Sequence, residues 1–243
     1  MRNIIFFILF CLLSQTLLTA QSPYKLNVGE EIGYSAGGMA LIAASYPLNR
    51  QVKPYIQEEL DRLDANRIWG IDRWVCSQWS ISAQQISDRF LFSSVALPAT
   101  LLFDQPSRKY FGQVGLLTLE TLLITSGLTS LTKTAIRRPR PYLYNPNVPP
   151  AVKALVTSRY SFFSGHTSLT ASMSFLSAKL YNDFYPESKA KPYIWATAAV
   201  IPAITGYLRM KGGNHYVSDV VVGYAVGALV GILVPQLHKV SIE

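Results

Sequence analysis

The stretch that decides the fold of this chain spans residues 133–219 and contains three polar segments between apolar ones: KTAIRRPRP at 133–141, SGHTS at 164–168 and LRMKGGNHYVSD at 208–219. The three segments share fixed cations and imidazoles: Lys133, Arg140, Arg209, His166 and His215. Cations that can surround an oxyanion, a Ser-Gly-His helix start and two imidazoles supply charge stabilisation, amide donors, a nucleophile and a proton donor. These residue types therefore point to phosphate chemistry that needs no metal.

The spacing within the segments is more specific than any one of them alone. It runs Lys133, six residues, Arg140-Pro141; then Ser164-Gly165-His166; then Arg209, five residues, His215, three residues, Asp219. This pattern resembles the type 2 phosphatidic acid phosphatase superfamily, which also contains bacterial acid phosphatases and vanadium haloperoxidases. The resemblance covers about the last half of the chain. Two positions depart from it: Phe163 replaces the usual Pro before Ser-Gly-His, and Leu208 replaces the usual Ser before Arg.

The resemblance assigns a role to each matching residue. It implies that His215 is the nucleophile, that His166 donates a proton to the leaving oxygen, and that the following residues bind phosphate: Lys133, Arg140, Ser164, Gly165 and Arg209. The residues support the first assignment independently, because Asp219 follows His215 by four positions and a helix would put both on one face. We expect the Asp219 carboxylate to hold one nitrogen of the His215 ring.

Composition limits the class of protein. The chain has 243 residues, of which 49% are hydrophobic and 15% charged, enough for one sizeable core and too apolar for disorder. Its net charge of +8 is spread among apolar segments. We expect no nucleic-acid binding, because the sequence has no Lys/Arg-rich tract or base-stacking platform. No nucleotide loop or zinc-ligand spacing is present, so we expect no cofactor.

The N-terminus resembles an export signal. Arg2 precedes the apolar run 4–13, and small residues end the segment at Ala20. Residues 1–20 are therefore interpreted as a signal peptide, with an uncleaved anchor helix as the alternative. Cleavage would leave Cys76 as the single cysteine, which excludes an intramolecular disulfide in the mature chain.

The remaining chain is predicted to be all α-helical, with an N-terminal periplasmic or interfacial region at 21–89 and a phosphatase core at 90–243. Apolar segments predict helices at residues 90–103, 110–131, 163–181, 193–208 and 220–237. Several are shorter than the ~20 residues of a full span, so a water-soluble bundle remains the alternative. We favour a membrane-integral bundle of about five spanning helices with the site at their outer ends. On this count the segment 34–48 does not cross.

Charged loops favour one orientation. Lys and Arg residues follow several apolar segments on one side, as the positive-inside rule predicts for a cytoplasmic face: Arg108, Lys109, Lys189, Lys191 and Lys239. We therefore expect a bacterial inner-membrane protein whose active site faces the periplasm, with a soluble periplasmic protein as the alternative. Glu120 lies mid-segment and is interpreted as a buried polar pair rather than a functional carboxylate. His238 is interpreted as an ordinary terminal residue. Arg137 and Arg138 are left open between a second phosphate and solvent.

These observations predict a phosphatase that hydrolyses a lipid phosphomonoester or a lipid diphosphate through a phosphohistidine intermediate. Its partners would be a phosphorylated lipid and the membrane. A soluble periplasmic acid phosphatase with the same site is the alternative, and a vanadium-dependent haloperoxidase is a less favoured one. The sequence does not distinguish among lipid headgroups or chain lengths.

Overall fold

The structure, a computed structural model, describes residues 22–240 and contains six long helices among them. We number them α1 (Val28–Arg50), α2 (Ile81–Val95), α3 (Phe111–Ile136), α4 (Gly165–Phe184), α5 (Lys191–Lys211) and α6 (Val217–Leu237). Short α-helical turns occupy Gln57–Asp61, Gly70–Arg73, Gln105–Arg108 and Pro150–Lys153, and 3-10 turns occupy Ala65–Arg67, Trp74–Ser77, Pro98–Phe103, Pro141–Tyr144 and Val156–Arg159. The described chain has no β-strand, so the all-helical prediction is confirmed. The expected signal segment lies outside the described residues.

Helix α4 forms the centre of the bundle and packs against α2, α3, α5 and α6. Its buried side chains are largely small hydroxyls and alanines, which allow neighbouring backbones to approach closely. Three glycines of α6 at four-residue spacing face α4, namely Gly223, Gly227 and Gly231. A Cβ added at Gly227 would clash with the carbonyl oxygen of Ser168. This close packing fixes the start of α4 against the start of α6, where two of the predicted catalytic segments lie.

Apolar side chains also cover much of the outer surface of the bundle. On α6 the exposed residues recur along one face, with Val221, Leu229, Leu233 and Leu237 each more than half exposed. Two stretches, Phe111–Tyr144 and Val217–Leu237, have the length and hydropathy to cross a membrane. The predicted count of five spanning helices is not confirmed by this criterion, and core helices of soluble proteins can satisfy the same criterion.

The first helix differs most from the sequence prediction. Its apolar segment at 34–48 was expected not to cross, yet α1 is 23 residues long and packs along α3. The Asn27 side chain caps its start by accepting a hydrogen bond from the Gly29 amide. Residues before it pair with the C-terminal end of α6, where Tyr24 and Lys239 form a β-bridge. Six helices therefore run between the two ends of the bundle. The three polar segments at 133–141, 164–168 and 208–219 lie at one end, and residue 22 lies at the other.

The bounds of α2 differ from those predicted from the sequence. The helix expected over 90–103 instead begins at Ile81 and ends at Val95, and Pro98 starts a separate 3-10 turn. The expected division between an N-terminal region and a core, at residues 89 and 90, thus falls within α2. In α5 the helix continues through Pro202. The consequence for function is that α2 belongs to the same bundle as the predicted catalytic segments.

Candidate active site

His215 lies in the turn between α5 and α6 and is 1% exposed. Gly213 makes this turn with a positive φ of 71°, and a side chain there would collide with the Gln78 carbonyl oxygen. The Nδ1 atom of His215 lies 2.7 Å from the Ser161 carbonyl oxygen, which can only accept a hydrogen bond. Nδ1 therefore carries the proton, and the lone pair of Nε2 is left for attack on an electrophile.

The contact expected between His215 and Asp219 is indirect. The distance from His215 Nδ1 to Asp219 Oδ2 is 3.7 Å, too long for a hydrogen bond. Asp219 instead accepts hydrogen bonds from the Ser161 hydroxyl and, at 2.9 Å, from the Tyr216 amide. The prediction that the carboxylate holds the ring nitrogen directly was wrong, because the Ser161 carbonyl occupies that position. Asp219 orients His215 through Ser161, and its charge still lies close to the ring.

Arg138 neutralises Asp219 from the other side. Its guanidinium pairs with Asp219 through NH1 and with Asp72 through NH2 at 2.9 Å, and it lies over the Tyr216 ring at 4.1 Å. Asp72 also accepts the Ser218 amide at 2.9 Å, which satisfies a free donor at the start of α6. Arg138 is therefore committed to two buried carboxylates rather than to a second phosphate.

Arg137 has a different role from its neighbour. It ends α3 in the left-handed conformation, with φ of 54°. Its guanidinium donates to the Thr134 carbonyl at 3.0 Å and to the Leu48 carbonyl at 3.3 Å. It thus satisfies carbonyl groups at the ends of α3 and α1.

Three cations lie near enough to His215 for their charges to act on its ring. The pKa of His215 lies well below its ordinary value of 6.5, mainly because the ring is buried. The charges of Lys133, Arg140 and Arg209 lower it further, in that order. Backbone carbonyl groups orient two of them: Lys133 Nζ donates to Tyr160 at 2.8 Å, and Arg140 Nε donates to Thr157 at 2.9 Å. The structure therefore brings the predicted cations together around a neutral imidazole.

Arg209 has one N–H group without a hydrogen-bond partner among the described residues. It is 6% exposed, and its NH1 group donates to the Ser87 hydroxyl at 3.1 Å. Among the described residues its Nε–H has no acceptor. A buried guanidinium N–H without a partner is costly, so a substrate oxygen at this position would satisfy it.

Ser164 and Gly165 form the start of α4 against these cations. The Ser164 hydroxyl accepts from the Thr167 amide at 3.4 Å and pairs with the Thr167 hydroxyl at 2.8 Å, so it caps the helix. The Ser164 amide donates to the Asp219 carbonyl oxygen at 3.0 Å. Gly165 borders Lys133, because a Cβ added there would lie 3.6 Å from Lys133 Cε. The start of α4, which favours an anion, therefore lies beside Lys133.

His166 pairs with a carboxylate that the motifs did not reveal. Its Nε2 lies 2.8 Å from Oδ1 of Asp88, which lies 3.5 Å from Arg209 NH1. Asp88 belongs to α2, about 80 residues before His166, and its side chain is 47% exposed. Asp72 and Ser161 were missed for the same reason, since none of the three belongs to a spaced motif. The only sequence signal at Asp88 was a charged pair with Arg89 before an apolar stretch.

The fold and this site define a helical bundle with two histidines and three cations at one end of its helices. The PAP2 superfamily model matches residues 115–243, and the chain belongs to that superfamily. Lipid A 4'-phosphatase of Porphyromonas gingivalis is 27% identical over 152 residues, which are 61% of each chain. This chain therefore matches about three fifths of the length of that relative.

A solved structure supports the architecture. The crystal structure of a transmembrane PAP2 type phosphatidylglycerolphosphate phosphatase from Bacillus subtilis superposes with a TM-score of 0.51. The match covers 82% of this chain and 94% of the other, at 21% sequence identity. At this identity the similarity establishes the fold.

Proposed function

We propose that this protein hydrolyses a lipid phosphomonoester or lipid diphosphate by way of a phosphohistidine. The observation that carries the proposal is the hydrogen bond from His215 Nδ1 to the Ser161 carbonyl, because it leaves an unprotonated Nε2 in a buried, cationic site. Membership of the PAP2 superfamily and the names of the two relatives agree with this chemistry.

In the first step Nε2 of His215 attacks phosphorus, and the bond from phosphorus to the leaving oxygen breaks. Positive charge then spreads over the His215 ring, and the nearby Asp219 carboxylate stabilises it. His166 donates a proton to the departing alkoxide, or to the departing phosphate of a diphosphate. Lys133, Arg140 and the free Nε–H of Arg209 bind the equatorial oxygens.

In the second step water attacks the phosphohistidine, and His166 takes one proton from that water. The P–N bond breaks, inorganic phosphate leaves, and His215 regains its neutral form. Asp88 orients His166 in both steps through the 2.8 Å contact. The cycle needs only protein groups and water. We therefore expect chelators to leave the chemical step intact and orthovanadate, a pentacoordinate mimic, to inhibit it.

A cleft beside the phosphate site supports a lipid substrate. It has a volume of about 540 Å³ and lies between α1 and α3, with Ile42, Ala43 and Tyr46 on one wall. Lys133 lines the same cleft, so an acyl chain in it would bring a headgroup to the cations. Its mostly apolar wall is typical of a small-molecule site.

Paired substitutions on α1 test the cleft. Ala43 lines it, whereas the adjacent Ala44, which is also exposed, is not part of its wall. We expect Ala43→Trp to raise KM for a lipid phosphate and to leave hydrolysis of a soluble aryl phosphate unchanged. Ala44→Trp should change neither. Equal effects of both variants on the lipid would contradict the assignment of this cleft.

The substrate class is measured by phosphate release from a panel: phosphatidic acid, phosphatidylglycerol phosphate, polyprenyl diphosphate, lipid A and an aryl phosphate. We expect the rate for one lipid to exceed that for the aryl phosphate. Release only from the aryl phosphate, by a protein that an alkaline wash removes from membranes, would instead indicate the soluble acid phosphatase. Halide oxidation with added vanadate and peroxide would indicate the haloperoxidase.

The proposed location is the bacterial inner membrane, with the active site facing the periplasm. Apolar residues on the outer face of α6 and the transmembrane relative support membrane insertion. Because α1 runs the length of the bundle, residue 22 then lies at the cytoplasmic end. Cleavage after Ala20 in the periplasm is incompatible with this orientation, so we propose that residues 1–20 are retained. N-terminal sequencing of the mature protein tests this point independently.

Single cysteines test the orientation in a background that carries both Cys11→Ser and Cys76→Ser. Asn147 and Pro186 are exposed at the active-site end and the opposite end, respectively. We expect an impermeant maleimide to label Asn147→Cys from the periplasm and Pro186→Cys only after the membrane is opened. The reverse pattern would turn the site toward the cytoplasm, and labelling of both in intact cells would remove the bundle from the bilayer.

A further inference from the structure

Three ionisable side chains meet at the end of the bundle opposite the active site. Glu31 comes from α1, Glu120 from α3, and His238 follows α6, and all three are buried. His238 Nε2 lies 3.0 Å from Glu31 Oε2 and 3.4 Å from Glu120 Oε2. The interpretation of His238 as an ordinary terminal residue was wrong. Thirteen helical residues, about 20 Å, separate Glu120 from the catalytic Lys133.

We propose that these three residues bind a divalent transition-metal ion of the Zn²⁺ class. The protonation of His238 supports a cation between the three side chains. Its Nδ1 lies 2.7 Å from the Val234 carbonyl oxygen and must donate a proton to it. In the neutral ring the lone pair of Nε2 then points at two carboxylates that are also electron donors. A cation between the three groups converts this repulsion into three bonds.

A buried oxygen of Glu120 that lacks a hydrogen-bond partner among the described residues also supports a cation here. Glu120 is 0% exposed, and in the described part of the chain its Oε2 has no hydrogen-bond partner. Its other oxygen makes a long contact, 3.4 Å from the Ser35 hydroxyl. A buried carboxylate oxygen without a partner is rare in native proteins and costly. An imidazolium would neutralise one of the two carboxylates, whereas a divalent ion neutralises both.

The distances between the three ligand atoms also fit a bound ion. Ligand atoms at the usual 2.0–2.1 Å from a tetrahedral Zn²⁺ lie about 3.3 Å apart. The two His238–carboxylate separations, 3.0 and 3.4 Å, bracket that value. All three ligand atoms lie within 4.8 Å of one another. An Nδ1–H donated to a backbone carbonyl is also the usual outer contact of a metal-binding histidine.

The ligand set indicates which ion would bind. One imidazole with two carboxylates suits Zn²⁺ or a similar transition ion better than Ca²⁺ or Mg²⁺, which prefer oxygen ligands alone. Three protein ligands leave a fourth position for water or solvent. Nothing in the proposed reaction uses this site, so its role would be to hold α1 against α3 and α6. The other end of α1 forms the cleft wall beside Lys133.

The full-length protein in detergent provides the test. After treatment with a chelator and desalting, Zn²⁺ is titrated, and bound metal and the unfolding midpoint are measured. We expect one tightly bound Zn²⁺ per chain and a higher midpoint. Losing a partner outside the ligand shell typically weakens metal binding by about 10- to 100-fold, and we expect Glu120→Gln and His238→Gln to weaken it at least as much. His166→Ala is the matched control, because it removes an active-site histidine, and it should bind Zn²⁺ as the wild type does.

X-ray absorption of the wild-type Zn²⁺ complex makes the test independent of how well the variants fold. One imidazole with oxygen ligands is the expected shell, whereas two imidazoles would place the ion on His166 and His215 and overturn the proposal. Absence of Zn²⁺ binding in the wild type, or unchanged binding in a folded His238→Gln variant, would also overturn it. Phosphatase activity is not part of this test, so its outcome is separate from that of the proposed function.

Discussion

Replacement of Arg138 by Gln tests whether this residue organises the site or binds phosphate. Arg138 pairs with Asp72 and Asp219, which are 1% and 0% exposed, and it donates to the Ser218 hydroxyl at 2.8 Å. Removing one partner of a buried ion pair typically costs about 3–5 kcal/mol. For a protein of this length each kcal/mol lowers the unfolding midpoint by about 2–4 °C, so we expect a fall of roughly 6–20 °C.

Arg137→Gln is the matched control, because among the described residues the Arg137 guanidinium donates to two carbonyl oxygens and pairs with no carboxylate. We expect it to cost about 1 kcal/mol, a fall of roughly 2–4 °C. Adding Asp72→Asn to Arg138→Gln should recover part of the loss, since it removes one unpaired carboxylate. The assay is thermal unfolding in detergent, together with KM for an aryl phosphate. If Arg138→Gln unfolds no earlier than Arg137→Gln and raises KM instead, Arg138 binds phosphate and the ion-pair reasoning is wrong.

Three further predictions concern other parts of the bundle. The unfolding midpoint should fall as pH drops through about 6.5, because unfolded His215 gains a proton that the folded state excludes, and His215→Gln should remove this part of the pH dependence. Gly227→Ala should cost about 1–3 kcal/mol by forcing α4 and α6 apart, whereas Gly115→Ala, where the added atom meets nothing within 4 Å, should not lower the midpoint. Asp88→Asn should slow lipid hydrolysis by about 10- to 100-fold through poorer proton donation by His166, with little effect on an activated aryl phosphate. Equal loss for both substrates would contradict that role.

The residues of the spaced motifs could be predicted from sequence because each motif reports local chemistry. The start of α4 at Gly165 and the turn before α6 both follow from short-range signals, a capping Ser164 and the glycines before His215. The supporting residues could not be predicted in this way. Asp72 and Asp88 reach the site through packing of distant segments, which a single sequence does not reveal.

The extent of α1 could not be predicted for a related reason. The apolar segment at 34–48 is short, whereas the helix that contains it begins earlier, at Val28. In the structure Glu31 is buried beside His238, so polar partners from distant segments extend the buried part of α1. The expectation that the segment 34–48 does not cross therefore left out the packing of α1 along α3.

The proposed mechanism depends on His215 as the nucleophile, and trapping the covalent intermediate tests this role most directly. The wild type, His166→Ala and His215→Ala are incubated with a substrate labelled in its phosphate and quenched in base, which preserves phosphohistidine. We expect His166→Ala to accumulate an acid-labile label from an activated aryl phosphate, because attack proceeds while proton transfer in hydrolysis is impaired. His215→Ala should take up none with any substrate. An acid-labile label on His215→Ala at the wild-type level would contradict the central claim.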